Sequence, residues 1–128
     1  MLEGIRDIWG AALLIDLHSM PPLKERGGAE RAEFVIGDRF GAACDPALAA
    51  QALDHLAEAG RRVVHNRPYS GGYVLDTHAA PRRSIHALQI EICRSTYLDA
   101  RLDAPGPRLP GIARLLTSLV RDLGQSVA

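Results

Sequence analysis

The chain has 128 residues and a mass of 13.8 kDa, room for one domain, and its 47% apolar content is ordinary for a globular core. Its 15 basic and 15 acidic residues cancel, and the only adjacent basic pairs are Arg61-Arg62 and Arg82-Arg83, so the clustered basic face of a nucleic-acid binder is missing. The longest apolar run at the start, Ala11 to Ile15, is too short to cross a bilayer, and no signal-peptide pattern precedes it; the expectation is a cytoplasmic protein with no membrane partner.

In chain order, Ala11 to Leu17 (AALLIDL) is an apolar run too short for helical amphipathicity, and it reads as a strand buried on both faces that delivers His18 just past its end. The polar stretch Pro21 to Glu33, punctuated by proline and glycine, reads as a surface loop. Glu33 to Asp38 (EFVIGD) is a second short strand. Asp45-Pro46 supplies an N-cap and a proline at the first helical position. Leu48, Ala52, Leu56 and Ala59 then share one helical face, and Gly60 is the stop. Arg62 to His65 forms a third strand, and Asn66 to Gly72 must be a loop, because Pro68 and the glycine pair break both regular periods. That glycine pair lacks the lysine and spacing of a phosphate-binding loop.

Tyr73 to His78 predicts a short helical turn before Pro81, and Ile85 to Ile92 a strand. Ile112, Leu115, Leu116, Leu119, Val120 and Leu123 recur at helical spacing after Pro110-Gly111, which predicts a closing amphipathic helix ending near Gly124. Strands alternating with helices argue for an α/β layered sheet.

Chemistry enters with His86-Ala87-Leu88-Gln89-Ile90-Glu91-Ile92. A period of two sets Gln89 and Glu91 on one face and His86, Leu88 and Ile90 on the other. On a central strand a buried carboxylate without a partner costs several kcal/mol or takes up a proton, which points to a cation, a bound water or a polar cleft. On an edge strand the same two side chains would simply be solvated. His18 beside Asp16 stands where open α/β sheets gather ligands and is chemically suited to hold zinc through one ring nitrogen; the other reading is a histidine capping its loop through Ser19.

Gly37-Asp38-Arg39 reads either as a carboxylate-binding group or as an exposed ion pair, which is worth little. In Asn66-Arg67-Pro68-Tyr69 a guanidinium fork on a proline-stiffened loop is suited to a substrate carboxylate, although arginine on a loop is commonly a surface charge. Cys44 and Cys93 have no metal-type spacing and read as reduced, buried residues. A nucleophilic Cys93 with His86 or His78 as base is disfavoured, since a regular strand points His86 away from Cys93.

Taken together, Leu14-Ile15-Asp16-Leu17-His18-Ser19-Met20-Pro21, Gly37-Asp38-Arg39, Asn66-Arg67-Pro68-Tyr69-Ser70-Gly71-Gly72-Tyr73 and His86 to Ile92 resemble the N-formylglutamate amidohydrolase family over most of residues 11 to 99. The resemblance implies an α/β fold of the phosphorylase/hydrolase-like, zinc carboxypeptidase-like kind, with a mixed central sheet flanked by helices. It further implies zinc-dependent hydrolysis of the amide of an N-formyl or N-acyl amino acid, a step in amino-acid catabolism. His18 would be a metal ligand and Glu91 the general base and acid that activates water and then protonates the leaving amine. Arg67, with Asn66 and Arg39, is assigned to the substrate's carboxylate.

Two departures follow from the same resemblance. Phe40 stands where the family commonly has a histidine, and the family's other two metal ligands come from a segment ahead of the strand carrying His18, where only ten residues stand here. The expectation is therefore a single domain over 1–128 equivalent to the C-terminal half of the family domain, with an incomplete zinc site and a tendency to self-associate or to require its other half. The alternative is a non-catalytic remnant that keeps the fold and a carboxylate-binding pocket without zinc.

Overall fold

The computed structural model describes residues 1–24 and 31–127. Its centre is a mixed sheet of four strands, β1 (Ala12–Met20), β2 (Phe34–Gly37), β3 (Val63–His65) and β4 (Ile85–Cys93), in the order β1-β4-β2-β3. β4 runs parallel to β1 and antiparallel to β2, and β2 runs parallel to β3. The last strand in sequence is thus inserted between the first two. All nine residues of β4 are buried, which removes the edge-strand reading of Gln89 and Glu91.

One face of the sheet carries the main core. Phe34 and Ile36 of β2 and Leu88, Ile90 and Ile92 of β4 pack against two helices, α2 (Pro46–Glu58) and α4 (Leu109–Val127). α2 forms as expected: the Asp45 carboxylate accepts the Ala47 N–H at 2.8 Å, and Pro46 occupies the first turn. Leu48, Ala49, Ala52 and Leu56 make its buried stripe, while Ala59 caps the end in solvent. Each leucine or isoleucine so buried contributes about 1.5–3 kcal/mol. α4 starts at Leu109 and continues through Gly124 to Val127, because Leu123 and Val127 still find apolar partners in the core. A glycine in a helix costs only about 1 kcal/mol, which packing overrides.

The expectation for the first strand needs correction. β1 extends to Met20, so His18 lies within it, and it is an edge of the sheet among the described residues. Leu13 to Asp16 are half-buried and Leu17 to Ser19 exposed, so it is not buried on both faces. Ahead of it, α1 (Leu2–Trp9), closed by a left-handed Gly10, had no sequence expectation. α3 (Tyr73–His78) forms where expected, and short 3₁₀ turns at Pro81–Arg83 and Arg94–Thr96 flank β4. The expected loop of Pro21 to Glu33 lies partly outside the described residues; Pro21 to Lys24 carry no regular structure. No helix among the described residues is long and apolar enough to cross a membrane.

Candidate functional site

The second sheet face brings the polar residues together. In the parallel β1–β4 ladder Asp16 is opposite Gln89 and His18 opposite Glu91. Across β4, Val35 stands opposite Glu91 and Gly37 opposite Gln89. Paired residues share a face, so Asp16, His18, Gln89 and Glu91 form one polar patch. Met20, Val35 and Cys93 bound it at one end, and Leu14 and Ala87 at the other.

Glu91 is the unusual member. It is 7% exposed; Oε1 accepts from Gln89 Nε2 at 3.2 Å, and Oε2 is buried without a hydrogen-bond partner. Burial pushes its carboxyl above the ordinary value; His18 opposes that shift, Asp16 adds to it and Arg94 opposes it. The His18 imidazole is half exposed, with Nε2 3.0 Å from Asp16 Oδ1, and Nδ1 has no partner among the described residues. Asp16, not Ser19, is therefore its neighbour.

Above this patch the 66–72 loop is locked to the end of β2. Asn66 Nδ2 donates to Asp38 Oδ1 at 2.8 Å, and the Asp38 N–H donates back to Asn66 Oδ1 at 2.9 Å. The Gly41 N–H also reaches Asp38 Oδ1, at 3.2 Å, and His65 Nε2 lies 3.0 Å from the same oxygen. Asp38 is buried and does not pair with Arg39, so the exposed ion pair is not formed. Arg39 instead reaches Asp76 at 2.9 Å, Ser70 Oγ at 3.0 Å and the Gly71 carbonyl at 3.1 Å. Arg39, Phe40 and Asn66 all hold positive φ, a conformation uncommon for residues other than glycine and retained where surroundings enforce it.

Gly37 permits the closeness of this loop. A Cβ there would sit 2.6 Å from the Ser70 carbonyl carbon and 2.7 Å from the Gly71 nitrogen. Of the residues assigned to a substrate carboxylate, Asn66 has its amide engaged by Asp38 and Arg39 is engaged as above. Arg67 remains exposed, with its guanidinium 5.5 Å from the centre of the Phe40 ring.

The other histidines do not join His18. His86, on the core face, accepts the Asp45 N–H at Nδ1 (3.1 Å), and burial pushes its pKa down against the pull of Asp45. His55 ties α2 to α4 through Asp122 at 2.9 Å and Ser118 at 2.8 Å. These last three line a surface cavity of about 810 Å³, which Glu91 does not line. The orphaned carboxylate marks the chemistry better than cavity size does. Cys93 Sγ contacts Ser95 Oγ at 3.0 Å, and burial pushes the Cys44 thiol up to about 12, with Asp38 and Asp45 adding to the shift. Among the described residues no three His, Cys, Asp or Glu side chains converge as a metal site. His18 suits one zinc ligand and Glu91 a proton-transfer group, and further ligands are not found there.

The chain is 33% identical to an N-formylglutamate deformylase of Pseudomonas aeruginosa over 98% of its length, covering 47% of that protein. It is 35% identical to one of Pseudomonas putida over 77% of its length, covering 38%. The crystal structure of an N-formylglutamate amidohydrolase from Ralstonia eutropha JMP134 superposes with a TM-score of 0.87 at 32% identity, over 98% of this chain and 46% of that one. A protein of Agrobacterium tumefaciens at 24% identity shares the fold with a TM-score of 0.67. The chain spans about half the length of the curated relatives it matches, or less. With residues 1–98 matched by the model of the N-formylglutamate amidohydrolase family, the chain belongs to that family.

Proposed function

We propose that this chain contributes the glutamate-bearing half of the active site of a zinc-dependent amidohydrolase acting on N-formyl or N-acyl amino acids of the N-formylglutamate type. One observation carries the reading. Glu91 Oε2 is sealed from solvent without a partner, on the sheet face it shares with His18. Such an arrangement is costly in a purely structural carboxylate and useful in a group that must exchange protons. The deformylase relatives supply the substrate class.

His18 would hold zinc through one ring nitrogen, with Asp16 beside Nε2 to orient the imidazole, as metal-bound imidazoles are commonly supported. The Lewis acidity that polarises an amide carbonyl and acidifies water comes from zinc when bound. Glu91 takes the proton of the attacking water and returns it to the leaving amine. Its raised pKa brings it nearer the working pH, where proton transfer in both directions is efficient. Arg67 receives the substrate carboxylate, while Asn66 and Arg39 hold the loop that presents it. A catalytic zinc site takes about three protein ligands, and among the described residues no others converge with His18 to complete one.

Metal analysis and calorimetry of wild type and His18→Ala test this. Stoichiometric zinc that is lost in His18→Ala supports the ligand role and leads to an assay on N-formylglutamate. Zinc in neither protein removes the claim that the chain forms a zinc site by itself. Zinc retained in the variant removes His18 as a ligand.

A further inference from the structure

We propose that Gln89 is a positioning residue that aims Glu91, donating to one carboxylate oxygen so that the other is held toward the face shared with His18. This rests on reading Glu91 as the proton-transfer group. A glutamate has several rotatable bonds and loses a defined direction unless something binds its head. Among the described residues the only hydrogen bond to the Glu91 carboxylate comes from Gln89 Nε2, and it goes to Oε1 alone.

The surroundings fit that role. Gln89 is 8% exposed and stands two residues before Glu91 on the same face. Its β2 neighbour is Gly37, so no side chain from that strand competes for its amide, and the Ser70–Gly71 backbone closes in over the gap. Its β1 neighbour is Asp16. A lysine or arginine at position 89 would hold Glu91 ionised through its charge, and a second carboxylate would repel it. A neutral amide gives direction without a full charge and leaves the proton free to move.

The test is a high-resolution structure of the metal-free chain as wild type, Gln89→Met and Gln89→Glu. Methionine keeps the length and removes the donor, and glutamate keeps the shape and reverses the interaction. The expected result is one Glu91 conformer in wild type, more than one in Gln89→Met, and a displaced carboxylate in Gln89→Glu. A single unchanged Glu91 conformer in Gln89→Met overturns the proposal, because a residue that only fills space is replaced by methionine without moving its neighbour's head group.

Should the variants not fold, the wild-type protein answers by NMR. A Gln89 side-chain amide proton should resonate downfield of those of exposed Gln125 and exchange with solvent more slowly; equal shift and exchange overturn the proposal. Neither readout needs metal or turnover, so a failure here is separate from a failure of His18 to bind zinc.

Discussion

His18 on β1 stands directly opposite Glu91 on β4 in parallel register, one half exposed and the other sealed. The pair places a weak base that water can reach beside a carboxyl that water cannot. The partners of both are few, and that has consequences for stability.

Glu91→Gln should stabilise the metal-free chain at neutral pH. Burial raises the folded-state pKa of Glu91 above its ordinary 4.5, so the folded protein holds this proton more tightly than the unfolded chain does. Its contribution to stability is fully present below about pH 4.5 and is lost as pH rises through the raised value. Glutamine has no such loss. Urea unfolding at about pH 7.5 should favour the variant by on the order of 1 kcal/mol, with the advantage shrinking at about pH 4. An advantage that does not change with pH would mean that the charge of Glu91 is not what costs stability.

His86 titrates with the opposite consequence. Its Nδ1 accepts the Asp45 N–H and burial lowers its pKa from 6.5, so the unfolded chain binds this proton more readily. Stability should therefore fall as pH drops below 6.5 toward the lowered value. His86→Asn offers an acceptor in a similar place without titrating. Between about pH 7.5 and about pH 5.5 the wild type should lose more stability than the variant, read from paired denaturant midpoints. Parallel losses would assign the acid sensitivity to other groups.

Gly37→Ala should lift the 66–72 loop. The added Cβ would meet the backbone of Ser70 and Gly71 at 2.6–2.7 Å, and backbone cannot yield as a flexible side-chain end can. The expected cost is about 1–3 kcal/mol, with amide shifts concentrated at Asn66 to Gly72 in a heteronuclear NMR spectrum. Full stability with an unmoved loop would contradict the close contact described here.

Local pattern accounts for what could be read in advance. α2 was legible from Asp45-Pro46 and its apolar stripe, and β4 from its alternation, because caps and side-chain alternation act within a few residues, while α3 was marked only as a short turn before Pro81. The alternation also set Gln89 and Glu91 on one face. The likeness of four short segments to one family followed from residue identity alone.

The rest depended on contacts between distant segments. Whether β4 was central or an edge, and so whether Glu91 was buried or solvated, is decided by the order β1-β4-β2-β3, which arises from hydrogen bonds between strands dozens of residues apart. Asp38 looked like half of an exposed pair with its neighbour Arg39, yet it is buried against Asn66, 28 residues away. That contact also takes the Asn66 amide that had been assigned to substrate. Periodicity determines which way a side chain points from its own strand; only the packing of other segments determines whether water, a partner or nothing meets it there.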